Sequence, residues 1–207
     1  MVPRIYPITD VELAGISHAE QISLLADAGA TFIQLREKHL SPADFYNEAK
    51  SALATARERR VTLIINDRVD IAMAIGADGV HLGQDDLPPE AARKLLGDNA
   101  IIGYSTHNVS QAIAAAALPV DYIAIGPIFE TGTKANPDPV VGLDGLRAVR
   151  NAIGDRHLVA IGGITQENAA TVIDAGADSV AVISALLSSG ATAIPDRYRT
   201  FIRIIPY

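Results

Sequence analysis

One helix-to-strand junction recurs four times along the chain: Gly29-Ala-Thr-Phe-Ile-Gln-Leu35, Gly76-Ala-Asp-Gly-Val-His-Leu82, Pro119-Val-Asp-Tyr-Ile-Ala-Ile125 and Gly176-Ala-Asp-Ser-Val-Ala-Val182. In each, an alanine-rich amphipathic stretch stops at a Gly or Pro that cannot continue it, and a run of Val, Ile, Leu or Tyr enters a buried strand. Further strands are predicted between these four, over 4–9, 61–66, 100–104 and 157–161. Helices are predicted over 17–28, 42–59, 69–75, 88–96, 108–117, 143–153, 166–175 and within 195–205. Capping chemistry marks several starts: Ser41 precedes Pro42, and Asn108 and Thr165 have Gln111 and Asn168 three positions on. Alternating βα units with near-continuous apolar strands call for a parallel sheet covered by helices. Eight such units favour a closed barrel over an open doubly wound sheet. The expected fold class is therefore α/β, a (β/α)8 TIM barrel with a parallel eight-stranded sheet, as a single domain over 1–207.

At 207 residues the chain is near the lower limit for such a barrel. With 49% hydrophobic and 20% charged residues it can bury a sizeable core. Its 17 basic against 24 acidic residues give a net charge of −7, the wrong sign for coating nucleic acid or an anionic membrane. Any anionic ligand must be held by local charges. The absence of cysteine excludes a disulfide framework, a cysteine nucleophile and a thiolate metal site. No stretch approaches a signal peptide or the ~20 apolar residues of a membrane span. The expectation is a soluble cytoplasmic protein acting on small molecules, with no nucleic-acid or membrane partner. The ending Phe201-Ile-Arg-Ile-Ile-Pro-Tyr207 fits either a homo-oligomer interface or a terminal helix docked on its own barrel.

Barrel active sites sit at the carboxyl ends of the strands, so the residues following each strand matter most. These are Gln34-Leu-Arg36-Glu-Lys38, Asn66-Asp67-Arg68, His81-Leu-Gly-Gln84-Asp85-Asp86 and Ser105-Thr106-His107, then Gly126 through Thr131, Thr133 and Lys134, then Gly162-Gly163-Ile164, then Ser184. Arg36, Lys38 and Lys134 come from two loops to one rim of an acidic protein, which points to a phosphate or pyrophosphate. Asp67 and Asp86 offer hard carboxylate oxygens suited to Mg²⁺ bridging such a ligand. Gly162-Gly163 and Ser184 occupy the positions of the common barrel phosphate site, where backbone N–H groups and a helix amino terminus face the anion. Each feature alone has a blander reading. Gly-Gly makes tight turns, Asp67 can cap the next helix, Arg36-Glu37-Lys38 can be a solvated cluster, and His81 and His107, which tempt as acid or base, can be satisfied structural groups. Their coincidence at the same ends of seven strands favours a ligand site.

With these residues laid out, the chain resembles the thiamine-phosphate synthases, also called thiamine-phosphate pyrophosphorylases. The resemblance covers 4 to about 187 and rests on Ile8-Thr-Asp10, Gln34-Leu-Arg-Glu-Lys38, Ile65-Asn-Asp-Arg-Val-Asp70, Gly79-Val-His-Leu-Gly-Gln-Asp-Asp86, Gly103-Tyr-Ser-Thr-His107, Gly126-Pro-Ile-Phe-Glu-Thr-Gly-Thr-Lys134 and Ala160-Ile-Gly-Gly-Ile164. It implies joining of 4-amino-5-hydroxymethyl-2-methylpyrimidine diphosphate to 4-methyl-5-(2-phosphoethyl)thiazole, with release of pyrophosphate. It makes Gln34, Arg36, Lys38 and Asn66 contacts of the pyrimidine diphosphate, with Ser105 and Lys134 also facing the diphosphate. It makes Asp67 and Asp86 the Mg²⁺ ligands, and gives Thr131, Thr133, Gly163, Ile183 and Ser184 to the thiazole phosphate and product. Arg36, Lys38, Lys134 and Ser105 are the catalytic candidates. Glu130 departs from the family, which often has proline there. The related thiazole tautomerases can carry Glu at that position, but they lack the Asp67-position aspartate and use histidine where this chain has Pro127. A tautomerase-like relative, a sugar-phosphate isomerase or epimerase, and a non-catalytic thiazole or thiamine phosphate binder are the alternatives.

Overall fold

The computed structural model describes residues 2–132 and 138–206. Its element order is β1 (Ile5–Thr9), α1 (Val11–Ala14), α2 (His18–Asp27), β2 (Phe32–Leu35), α3 (Pro42–Glu58), β3 (Thr62–Asn66), α4 (Val69–Ile75), β4 (Gly79–Leu82) and α5 (Pro89–Leu96). There follow β5 (Ile101–Thr106), α6 (Val109–Ala116), β6 (Tyr122–Ile125), α7 (Gly142–Ile153), β7 (Leu158–Ile161), α8 (Ala169–Asp174), β8 (Ser179–Val182), α9 (Ser184–Leu187) and α10 (Ile194–Ile204). The strands pair in parallel, each with the next, and β1 pairs with β8, so the sheet closes into the eight-stranded barrel expected.

Strand alternation divides the apolar residues into two cores. Tyr6, Ile8, Phe32, Ile64, Tyr122, Ala124, Val159 and Ala181 fill the barrel interior. Outward-facing Ile33, Leu63, Val80, Ile102, Ile123, Leu158 and Val180 pack under the helices. The interior is narrow enough to require glycine at Gly103. A Cβ on Gly103 would fall 2.0 Å from the Tyr122 ring, which lies across β5 at that level.

The recurring junction has a hydrogen-bonding cause at the amino-terminal end of the barrel. Asp78, Asp121 and Asp178, in the turns before β4, β6 and β8, each accept the backbone N–H of a residue in the preceding strand. The partners are Leu63 at 2.7 Å, Ile102 at 2.7 Å and Leu158 at 2.8 Å. Arg93 of α5 pairs with Asp121 and Arg150 of α7 with Asp178, while Arg57 of α3 donates to the Gly76 carbonyl. The repeat thus ties odd strands to even ones on the face that carries stability.

The capping expectations hold in part. Ser41 Oγ accepts from Asp44 N at 3.2 Å and Asn108 Oδ1 from Gln111 N at 2.9 Å. The helix predicted from 166 starts only at Ala169, because the Asn168 side chain turns back to accept from Thr165 N and to donate to the Gly163 carbonyl. β5 runs on through Ser105 and Thr106, which the sequence placed beyond it. The terminal helix docks on its own barrel: Tyr198 and Phe201 are fully buried, and α10 packs against α2, α8 and α9.

Candidate active site

The carboxyl ends of the strands open into a cavity of about 550 Å³. Gln34, Arg36, Lys38, Asn66, Asp67, Asp86, Ser105, Thr131, Gly163, Ile183 and Ser184 all line it, so these sequence candidates converge on one space. Thr133 and Lys134 lie outside the described residues.

Asp67 sits one residue past β3 with φ of 61°, a left-handed conformation that Asp adopts more readily than most residues. Its backbone N donates to the His81 carbonyl at 2.8 Å, which holds the turn. The Asp67 side chain does not cap α4, whose N-cap is Arg68 and has no side-chain cap bond. Instead its carboxylate pairs with the Lys38 ammonium, and its charge acts on the neighbouring Asp86 carboxyl. Burial, and then the charge of Asp67, hold the Asp86 carboxyl above its usual range, against the pull of the Gly83 N–H at 2.7 Å and of Lys38. Asp67 and Asp86 thus bring two carboxyl groups to the same side of the cavity, beside the Lys38 ammonium. Among the described residues no group of three or more such ligands exists, so a cation here would complete its shell from a ligand's oxygens or water.

Arg36 is not a solvated charge. Its guanidinium donates to Asp10 Oδ2 at 2.7 Å, and it is 19% exposed. Asp10 is itself clamped: its backbone N–H and carbonyl both bond the fully buried Gln21 amide, at 3.0 and 3.3 Å. Glu37 turns the other way, with Oε2 lying 3.5 Å from Nε2 of the buried His18. The Arg-Glu-Lys loop is thereby fixed by β1 and α2.

Deeper in the barrel runs a chain of hydrogen bonds. Gln34 Nε2 donates to the Tyr6 hydroxyl at 2.9 Å, Tyr6 meets Tyr122 at 2.9 Å, Tyr122 meets His81 Nδ1 at 3.0 Å, and His81 Nε2 meets Ser105 Oγ at 2.8 Å. Burial pushes both phenols above their usual range and the His81 imidazole down to about 4. Both ring nitrogens of His81 are partnered, as in the structural reading of it. His107 Nδ1 donates to the Gly126 carbonyl at 2.7 Å and ties β5 to the loop after β6.

At the opposite rim, Gly162 and Gly163 have φ of 100° and 64°. A Cβ on Gly163 would lie 2.5 Å from the Glu130 carbonyl oxygen and 2.7 Å from Phe129 Cβ, so the Gly-Gly turn presses on the β6 loop. The helix amino terminus at this rim belongs to α9, which begins at Ser184 directly after β8, while α8 starts six residues beyond Gly163. Glu130 is exposed, and with Thr131, Gly163 and Ser184 it lines a side cavity of about 330 Å³.

Asp10 belongs to a motif that carries the resemblance, but its pairing with Arg36, and the place of Tyr6 and Tyr122 behind the cavity, are not readable from spacing. Asp10 directly follows β1. Tyr6 and Tyr122 read as core, and only strand alternation toward the polar interior marks them.

The model of a family described as thiamine monophosphate synthase matches residues 5–186. The chain is 50% identical over 193 residues to a thiamine-phosphate synthase of Koribacter versatilis, covering 90% of each. It is 45% identical over 203 residues to one of Chloroflexus aurantiacus, covering 97% of this chain and 93% of the relative. Its fold is similar to that of a thiamine phosphate pyrophosphorylase from Pyrococcus furiosus, with a TM-score of 0.85, 34% identity and coverage of 97% and 94%. With the barrel closed and the polar rim assembled, these likenesses place the chain in the thiamine monophosphate synthase family, as a transferase.

Proposed function

We propose that this transferase condenses 4-amino-5-hydroxymethyl-2-methylpyrimidine diphosphate with 4-methyl-5-(2-phosphoethyl)thiazole, giving thiamine phosphate and pyrophosphate. The observation that carries this reading is the Lys38–Asp67 ion pair and the Asp86 carboxyl, lining one cavity with Arg36 and Ser105. That donor set fits Mg²⁺, which when bound supplies charge neutralisation to a diphosphate.

The thiazole nitrogen has no proton to lose, so no general base is needed, and the difficulty lies in the leaving group. Arg36 and Lys38, with Lys134 from the same rim in the sequence reading, donate to the oxygens on which charge builds. A single preorganised donor of this kind is typically worth about 3–4 kcal/mol. Gln34 and Asn66, both buried at the ends of β2 and β3, orient the pyrimidine. Thr131, Gly163, Ile183 and Ser184 hold the second substrate by its phosphate, across the cavity, with Thr133 added by the resemblance. This supplies proximity, so that capture by thiazole outruns capture by water. Asp67 and Pro127 favour this reading over a thiazole tautomerase, given the departures that resemblance implies.

Equilibrium binding of pyrophosphate to the isolated protein tests the site. Binding should require Mg²⁺ and be lost in Asp67→Asn. Equal binding with and without Mg²⁺ would contradict the assignment.

A further inference from the structure

Proton bookkeeping gives the buried hydrogen-bond chain a direction. The Gln34 Nε2 group can only donate, so the Tyr6 oxygen accepts from it. The Tyr6 proton then points to the Tyr122 oxygen, 2.9 Å away. The Tyr122 proton in turn goes to His81 Nδ1 at 3.0 Å. A neutral ring that accepts at Nδ1 carries its hydrogen on Nε2, which donates to Ser105 Oγ at 2.8 Å. The reverse order would make the Tyr6 oxygen accept twice and leave its proton without an acceptor in a fully buried place, which costs the desolvation of that group.

The ring packing holds the same arrangement. Tyr6 meets Phe32 and Tyr122 edge-on, with centroids 4.9 and 5.8 Å apart, and His81 stacks on Tyr122 at 21°. Gly103 leaves the space that the Tyr122 ring fills. The Ser105 backbone is pinned from the other side, its carbonyl accepting from Gln84 Nε2.

We propose that Tyr6, Tyr122 and His81 form a one-way relay that fixes the Ser105 hydroxyl as a hydrogen-bond donor aimed into the cavity, with His81 the positioning residue in its Nε2–H tautomer. Because Ser105 Oγ already accepts from His81, its own proton is left for an acceptor in the cavity. This inference rests on the reading above, in which that acceptor is an oxygen of the departing diphosphate. The relay sets the donor before the ligand arrives, so no reorganisation of Ser105 accompanies charge development.

Two measurements on the full chain test it. Long-range ¹H–¹⁵N correlation at neutral pH, with His81 assigned by its loss in His81→Gln, should show hydrogen on Nε2 and none on Nδ1. Tyr122→Phe removes the donor to Nδ1 and should shift His81 away from that tautomer. It should also lower kcat about tenfold, the effect of one neutral hydrogen bond, with KM for the thiazole phosphate unchanged. His81→Gln, whose amide keeps an N–H toward Ser105, should retain more kcat than His81→Leu. Ser105→Ala should cost nothing further in the His81→Leu background. A bare Nε2 in the wild type, an unchanged kcat in Tyr122→Phe, or additive losses in the double variant would each overturn the relay. Should the wild type release no pyrophosphate at all, the functional reading fails, and the tautomer of His81 alone decides the relay.

Discussion

Arg36 and Asp10 form a 2.7 Å ion pair between the ends of β2 and β1, and Asp10 is locked in turn by the Gln21 side chain on α2. A guanidinium held this way meets its ligand already oriented, with little entropy left to lose. Asp10→Ala should raise KM for the pyrimidine diphosphate about tenfold, the scale of one charge-assisted hydrogen bond. It should also cost about 1 kcal/mol of stability, because Asp10 caps α1 by accepting from Leu13 N at 3.1 Å. Steady-state kinetics and urea denaturation separate the two effects. Unchanged KM in a folded variant would show that the pair does not orient Arg36.

Gly163→Ala probes the other rim. The new Cβ would have to adopt φ of 64° and to push aside the Glu130 carbonyl and Phe129. A loss on the order of 1–3 kcal/mol is predicted from the backbone conformation. KM for the thiazole phosphate should rise more than KM for the pyrimidine diphosphate, since Thr131 lies on the displaced loop. The comparison of the two KM values checks this.

Burial lowers the His81 imidazole from 6.5 to about 4. Between those values the unfolded chain binds a proton that the folded one refuses. The stability contribution is therefore fully present above pH 6.5 and is lost as pH falls toward 4. Its full size is on the order of 3 kcal/mol. His18 and His157 are lowered in the same direction, chiefly by burial, and remain in a His81→Gln variant. Urea denaturation at pH 7 and pH 4.5 should show a smaller acid loss in that variant than in the wild type, and equal losses would contradict the assignment.

Asp178→Ala tests the aspartate-to-strand bonds at the amino-terminal end of the barrel. It removes the acceptor for Leu158 N and the partner of Arg150. About 1–3 kcal/mol of stability should be lost, with kcat/KM unchanged at temperatures where the variant is folded. A fall in kcat/KM would mean that the two ends of the barrel are coupled.

Much of this was legible in the sequence, for identifiable reasons. Val69–Ile75 is bounded by a strand and by Gly76, and its predicted limits match the helix. The junction repeat disclosed the barrel because each copy leads a helix into a strand, although the hydrogen bonds that Asp78, Asp121 and Asp178 make in three of the four copies are not readable from spacing. α1 and α9 were missed because four residues are too few to show a period. α8 starts late because Asn168 bonds backward, a side-chain choice that propensity does not encode. Gln34, Asn66 and Ser105 stand at strand ends, and the family resemblance gives them their roles. Their linkage through Tyr6, Tyr122 and His81 depends on strand alternation across the closed barrel, and so needed three-dimensional placement.

The most direct test of the proposed activity is release of pyrophosphate from the pyrimidine diphosphate, measured with and without the thiazole phosphate and Mg²⁺, for the wild type and Asp67→Asn. Release that needs both additions and collapses in the variant is the outcome predicted from the Asp67–Asp86 site. Release indifferent to Mg²⁺ or to Asp67→Asn, or no release by the wild type while it still binds the thiazole phosphate, would contradict it.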